Sequence, residues 1–163
     1  MSFESFWADI LATLIGGVIL AVLFFWFRER VAPLPKVTGR WYFEVRTVET
    51  AYKPYEGMIL RYVAMLWREG SRVGGTVEKI YENSSTGERD FVGTKRTRGQ
   101  VEGYIEKSYF GKDRLLLHVI EVGHGRESTN FYDLIAEENE MTGTFSSMVA
   151  NQSGDVRWQR DEF

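Results

Sequence analysis

The chain contains no cysteine, only two histidines and only three prolines in 163 residues. Without cysteine there are no disulfides and no thiolate-bound metals. His118 and His124 show neither HxH nor HExxH spacing, and no GxSxG, P-loop or GxGxxG string occurs. The many carboxylates fall mainly at turns and on alternate positions of strand-like runs, as on a solvated face. Neither catalytic residues nor a metal site is expected, and the chain reads as a non-enzyme. No Lys or Arg precedes Arg28, so the basic leading region of a cleavable signal is missing. From Val31 onward 18 Lys+Arg face 20 Asp+Glu. A near-neutral domain lacks the basic face that a long nucleic acid requires.

What the chain has instead is an uncharged run of eighteen residues, Ile10 to Phe27, followed by Arg28-Glu29-Arg30. At 1.5 Å per residue a helix of this length covers roughly 27 Å, close to a hydrocarbon core. A retained membrane span is expected over a signal peptide, since Val31-Ala32-Pro33 is a poor cleavage site. Arg28, Arg30 and Lys36 predict that the C-terminal side stays in the cytoplasm of a single-pass inner-membrane protein. Trp7 and Trp26 fit interfacial belts. Ala8, Ala12 and Gly16 form a small-residue stripe, as do Thr13, Gly17 and Ala21, and such stripes let helices approach closely in lipid. The expected organisation is a transmembrane helix and flanks at 1–30, a linker at 31–38 and one soluble domain at 39–163.

After Pro33 and Pro35 come strand-like runs. In Gly39–Thr47, Trp41, Phe43 and Val45 alternate with polar residues, the mark of a half-buried strand. Further runs are expected at Met58–Arg68, Val73–Tyr81, Asp90–Thr97, Gln100–Tyr109, Arg114–Glu121, Ser128–Ala136, Met141–Ala150 and Asp155–Gln159. The connections hold turn formers such as Asn83-Ser84-Ser85-Thr86-Gly87 and Gly123-His124-Gly125. The pattern predicts an all-β fold, an eight- to nine-stranded antiparallel up-and-down barrel behind one transmembrane helix; closure removes the sheet edges. Gly74-Gly75, Gly93, Gly103 and Gly143 inside runs point to barrel corners.

Recognition by aromatic and basic side chains is the remaining source of function. Tyr42, Tyr62, Tyr81, Tyr104 and Tyr132 recur nearly once per strand, and Arg89 to Arg98 is the densest positive stretch. A nucleotide needs an aromatic or guanidinium plane for each base and cations for its phosphates. The candidate ligand residues are Tyr62, Tyr81 and Tyr132 for stacking and Arg61, Lys79, Lys95 and Arg96 for phosphate. Val73, Gly75, Val77, Lys79 and Tyr81 share one strand face, predicting an interior that is apolar at one end and polar at the other.

Gly39-Arg40-Trp41 resembles the Gly-x-Trp signature of lipocalin-like barrels. The order of membrane helix, linker and β-barrel of about 125 residues resembles the transmembrane β-barrel effectors of bacterial CBASS anti-phage systems. Tyr55-Glu56-Gly57-Met58, Val73-Gly74-Gly75-Thr76 and Met141-Thr142-Gly143-Thr144-Phe145 share the look of that domain. The resemblance implies a STING-like receptor with no cofactor beyond its signalling ligand. Its cytoplasmic barrel would bind a cyclic dinucleotide or oligonucleotide, oligomerise through barrel and helix, and disrupt the inner membrane. The family commonly carries two membrane helices and residues 1–35 hold one, which raises the weight on association between copies. Two rivals stand beside this expectation: a membrane-tethered carrier of an apolar ligand, and a ligand-free membrane adaptor.

Overall fold

The computed structural model describes residues 3–30, 33–108, 111–123 and 126–163, arranged as two compact units, 1–33 and 34–163. The first is one helix, α1 (Phe3–Arg30), in which Asp9–Phe27 is long and apolar enough to cross a membrane. No part of that segment is buried within the protein, and its apolar side chains point all round the axis rather than to one face. Such a helix suits lipid better than a core edge. The Thr13 hydroxyl donates to the Asp9 carbonyl at 2.8 Å, so its polar group is satisfied within the helix. Val31, Ala32 and His124, expected at a poor cleavage site and in a hairpin turn, lie outside the described residues.

The second unit is all β. Its strands are β1 (Gly39–Glu49), β2 (Ile59–Glu69), β3 (Arg72–Ser84), β4 (Gly87–Asp90), β5 (Arg98–Glu106), β6 (Arg114–Gly123), β7 (Arg126–Ala136), β8 (Glu140–Ser147) and β9 (Gln152–Gln159). The sheet order is β2-β1-β9-β8-β7-β6-β5-β3, and β2 pairs with β3 to close an antiparallel barrel of eight strands. β4 is an extra strand hairpinned onto the far end of β3. The expected barrel is present. The strand expected over Asp90–Thr97 is not: β4 stops at Asp90, and a short 3-10 turn at Gly93–Lys95 follows. Gly93 has φ +59, which halts the extended backbone despite the β-prone Phe91 and Val92 before it. Gly93 therefore sits in this turn, not at a strand corner.

Alternation directs the core. Trp158, Phe43 and Tyr62 stand directly opposite one another on β9, β1 and β2. Their rings stack, Phe43 lying 3.9 Å from Trp158 and 4.7 Å from Tyr62, centroid to centroid, with Tyr132 set edge-on against Phe43 and Trp158. These rings fill the middle of the barrel. Leu34 and Val37, expected in the linker, pack against the same core.

One end is closed by Trp41, which is fully buried and donates from Nε1 to the Val37 carbonyl at 2.7 Å. The Arg160 guanidinium covers the ring at 3.6 Å from its centroid and donates to the carbonyls of Lys36, Thr38 and Arg40. Gly39 explains the Gly-x-Trp spacing. Its φ is +111, and a Cβ there would press on the passing Arg160 side chain.

A cross-strand row, Val73–Gly103–Leu117–Tyr132–Phe145–Gly154–Thr47, winds obliquely round the barrel from the start of β3 to the end of β1. The sheet coils so tightly that a Cβ on Gly103 or Gly154 of this row, or on Gly143 two residues before Phe145, would overlap a carbonyl oxygen of the adjoining strand. Tight corners are what these glycines supply.

Candidate functional site

Towards the end of β1 and the far end of β3 the inward positions turn polar. Thr47 on β1, Lys79 and Glu82 on β3, Glu121 on β6, Asn130 on β7, Ser147 on β8 and Gln152 on β9 form a ring at the open end. Glu121 continues the inward phase of Leu115, Leu117 and Val119, so the strand repeat itself carries a carboxylate into the barrel. It is 6% exposed and accepts a hydrogen bond from the Asn130 amide at 2.9 Å. Burial raises its pKa, and the neighbouring Tyr62 hydroxyl and the Lys79 charge offset only part of that. Burial and the neighbouring Glu121 charge also push the Tyr62 and Tyr132 hydroxyls well above the ordinary tyrosine range. Thr47 donates to Gln152 Oε1 at 3.1 Å, and Gln152 donates onward to the Val149 carbonyl at 2.9 Å. The ring is therefore pre-organised, with both signs of charge at its rim.

The seven candidate ligand residues divide three ways. Tyr62 and Tyr132 face inward but lie within the stacked core, each 3% exposed, so neither ring offers a free face at the mouth. Lys79 faces inward at the rim, paired with Glu82 at 2.9 Å and 4.9 Å from the Phe91 ring centroid. Arg96 stands beside it, donating to the Phe91 carbonyl at 3.2 Å and paired with Glu78 at 3.0 Å. Lys95 is exposed on the adjoining 3-10 turn. Arg61 and Tyr81 are on the outside. The shared face expected for Val73 through Tyr81 breaks at Ile80, where the register slips: Tyr62 opposes Lys79 while Arg61 opposes Tyr81. This bulge turns Tyr81 outward. Its ring lies 4.8 Å below the Arg61 guanidinium, which also pairs with Glu44 at 2.7 Å, and its hydroxyl donates to Glu88 at 2.9 Å. That bond, with some desolvation, raises the Tyr81 pKa.

The structure thus brings Lys79 and Arg96 onto Phe91, a half-buried aromatic, with Lys95 exposed on the turn that leads to Arg96. Sequence reasoning missed Phe91, Glu82, Glu121 and Asn130. For Glu121 the alternation in β6 was a readable signal; for Phe91 there was none, because its loop resembles a strand. Among the described residues no three His, Asp or Glu side chains gather as a metal site.

A second concavity lies outside. A groove of about 1450 Å³ follows this oblique row, with Gly103, Leu117, Tyr132 and Phe145 among its lining residues. His118 stacks on Phe131 in its wall, centroids 4.8 Å apart, and Asp133 and Asp155 add negative charge. Its acidity makes it a poor seat for an anion. Compared with known family models, with curated proteins and with solved structures, the chain matches none of them.

Proposed function

We propose that the protein is a membrane-anchored receptor whose barrel binds a cyclic oligonucleotide at its polar mouth. The observation that carries this reading is the corner where the Lys79 ammonium lies over the Phe91 ring, Arg96 donates to the Phe91 carbonyl and Lys95 is exposed on the adjoining turn. Cations within reach of an aromatic face are what a compact phosphodiester ring requires. Lys79 and Arg96 are held by Glu82 and Glu78, so a phosphate has to displace these carboxylates, and binding reorganises the rim. The stacked aromatics filling the barrel weigh against a carrier of an apolar ligand, which needs an empty interior. In this proposal α1 is a retained span, the barrel faces the cytoplasm because Arg28, Arg30 and Lys36 flank the apolar run, and rim reorganisation promotes assembly that disrupts the inner membrane in anti-phage defence.

The test is calorimetric titration of the full chain in detergent with a panel of cyclic dinucleotides and trinucleotides. One or more should bind, and Lys95→Ala and Arg96→Ala should each weaken it about 10- to 100-fold, the worth of a hydrogen bond to a charged group. Binding that survives both changes puts the site elsewhere on the barrel. Absence of binding across the panel removes the receptor reading and leaves the adaptor.

A further inference from the structure

One cation serves two carboxylates at the inner rim of the barrel. The Lys79 ammonium pairs with Glu82 at 2.9 Å, and its charge also favours the ionised form of Glu121 on β6. The next cations along the rim, Arg96 and Arg98, are paired with Glu78 instead. The two acids that share Lys79 differ in freedom. The Glu82 side chain is 19% exposed, and its other oxygen accepts only a long bond from the Ser84 hydroxyl at 3.4 Å. Once released by Lys79 it can turn into water. Glu121 has no such escape. It is buried, the Asn130 amide holds it, and its Cγ fills the space that Gly99 leaves, 3.1 Å from where a Cβ there would stand. The titratable groups around it are Tyr62 on β2, Lys79 and, beyond Tyr62, Glu82 on β3, and Tyr132 on β7; β5 presents only Gly99 opposite. Both tyrosine hydroxyls keep their protons, so Lys79 alone supplies positive charge here.

A phosphodiester carries a fixed negative charge. Seated on Lys79 in place of Glu82, it cancels the one positive charge that Glu121 draws on and sets an anion near a buried carboxylate. Burial and like charge both favour the neutral carboxyl. We infer that binding of a cyclic oligonucleotide at the mouth drives one proton from solvent onto Glu121, so that the receptor reads acidity together with the nucleotide. An O–H bond forms on the carboxylate, the proton offsets one phosphate charge, and no other bond changes. The inference rests on the receptor proposed above and adds the regulation of its site. Linkage sets the sign. The occupied mouth binds this proton more tightly than the empty one, so affinity is highest below the pKa of Glu121 in the free protein. It falls by up to about tenfold per pH unit until the pKa of the bound form is passed, and is level beyond.

Calorimetric titration of the full chain in detergent with the same panel of cyclic dinucleotides and trinucleotides, in buffers of low and high ionisation enthalpy, counts the protons taken up per nucleotide bound. Uptake should approach one proton within the range of about pH 5 to 8, with affinity falling as pH rises. Glu121→Gln should abolish the uptake and flatten affinity against pH, whereas Glu82→Gln should retain both. No uptake by the wild type, uptake that survives Glu121→Gln, or uptake lost in Glu82→Gln instead would each overturn the inference. A second arm needs no nucleotide. Lys79→Gln imitates the neutralised cation, and the infrared band of the protonated Glu121 carboxyl is the difference between that variant and Lys79→Gln combined with Glu121→Gln. The band should persist to higher pH than its counterpart with Lys79 in place. A band that does not move overturns the coupling even where nucleotides bind. Absence of binding across the panel removes the receptor reading, and this inference with it.

Discussion

The side-chain amide of Asn130 donates to the buried carboxylate of Glu121 at 2.9 Å, diagonally across β7 and β6 at the inner rim of the barrel. This pair sits where the apolar interior gives way to the polar mouth, and it places an ionisable group among stacked aromatics.

Burial raises the Glu121 pKa, so the folded protein holds this proton at pH values where the unfolded chain has released it. Stability then falls as pH rises from the ordinary glutamate range to the raised folded value, because the native state binds more protons there. Glu121→Gln removes the ionisation and keeps an acceptor for Asn130. Urea titrations of the two proteins should show a shallower pH dependence for the variant and equal or greater stability at neutral pH. A wild-type stability that climbs through this window instead would show that Glu121 is ionised in the fold.

At the closed end Arg160 fastens the last residues of the chain to the segment entering β1. Its guanidinium spans three carbonyls and the Trp41 ring, so Arg160→Ala leaves those carbonyls without their partner. A loss of about 1–3 kcal/mol is expected by chemical denaturation. Trp41→Ala removes a fully buried ring and should cost about 3–5 kcal/mol. If the double variant loses no more than Trp41→Ala alone, the two side chains act as one cap.

Gly143 faces inward on β8, where a Cβ would overlap the Asp133 carbonyl oxygen on β7. Gly143→Ala should therefore destabilise the barrel by about 1–3 kcal/mol, the usual cost of forcing an atom into packed space. An alanine that helps instead, as it does on an ordinary strand, would mean that the corner opens easily.

The β strands were legible where alternation was strict. Trp41-Phe43-Val45 and Leu115-Leu117-Val119 announce both strand and inward face, and their short connections imply antiparallel neighbours. Tyr81 escaped because one extra residue, Ile80, reverses the side-chain phase, and no residue type marks a bulge of that kind. Tyr62 and Tyr132 face inward but lie deeper than a site at the mouth requires. Distance along the barrel axis depends on strand stagger, which only the closed sheet fixes. Lys79 and Arg96 came together on Phe91 because β4 is short and its loop folds back over the rim.

The two stripes on α1 make the last prediction. Among the described residues nothing lies within 4 Å of a would-be Cβ on Gly16 or Gly17, so no described contact requires glycine at either position. Glycine also weakens a helix relative to alanine, and its retention here gains a reason if another helix packs against it. In the receptor proposed above, with α1 as a retained span, Gly17→Leu should block close approach between copies and reduce the proposed membrane disruption on exposure to a cyclic nucleotide, while affinity for that nucleotide stays unchanged. Permeability of inner-membrane vesicles to a small dye measures the first effect and calorimetry the second. The decisive control exchanges α1 for an unrelated apolar span of equal length. Full disruption by that chimaera would reduce α1 to a tether and shift the response to the barrel; loss of disruption with binding intact would assign it to the small-residue faces.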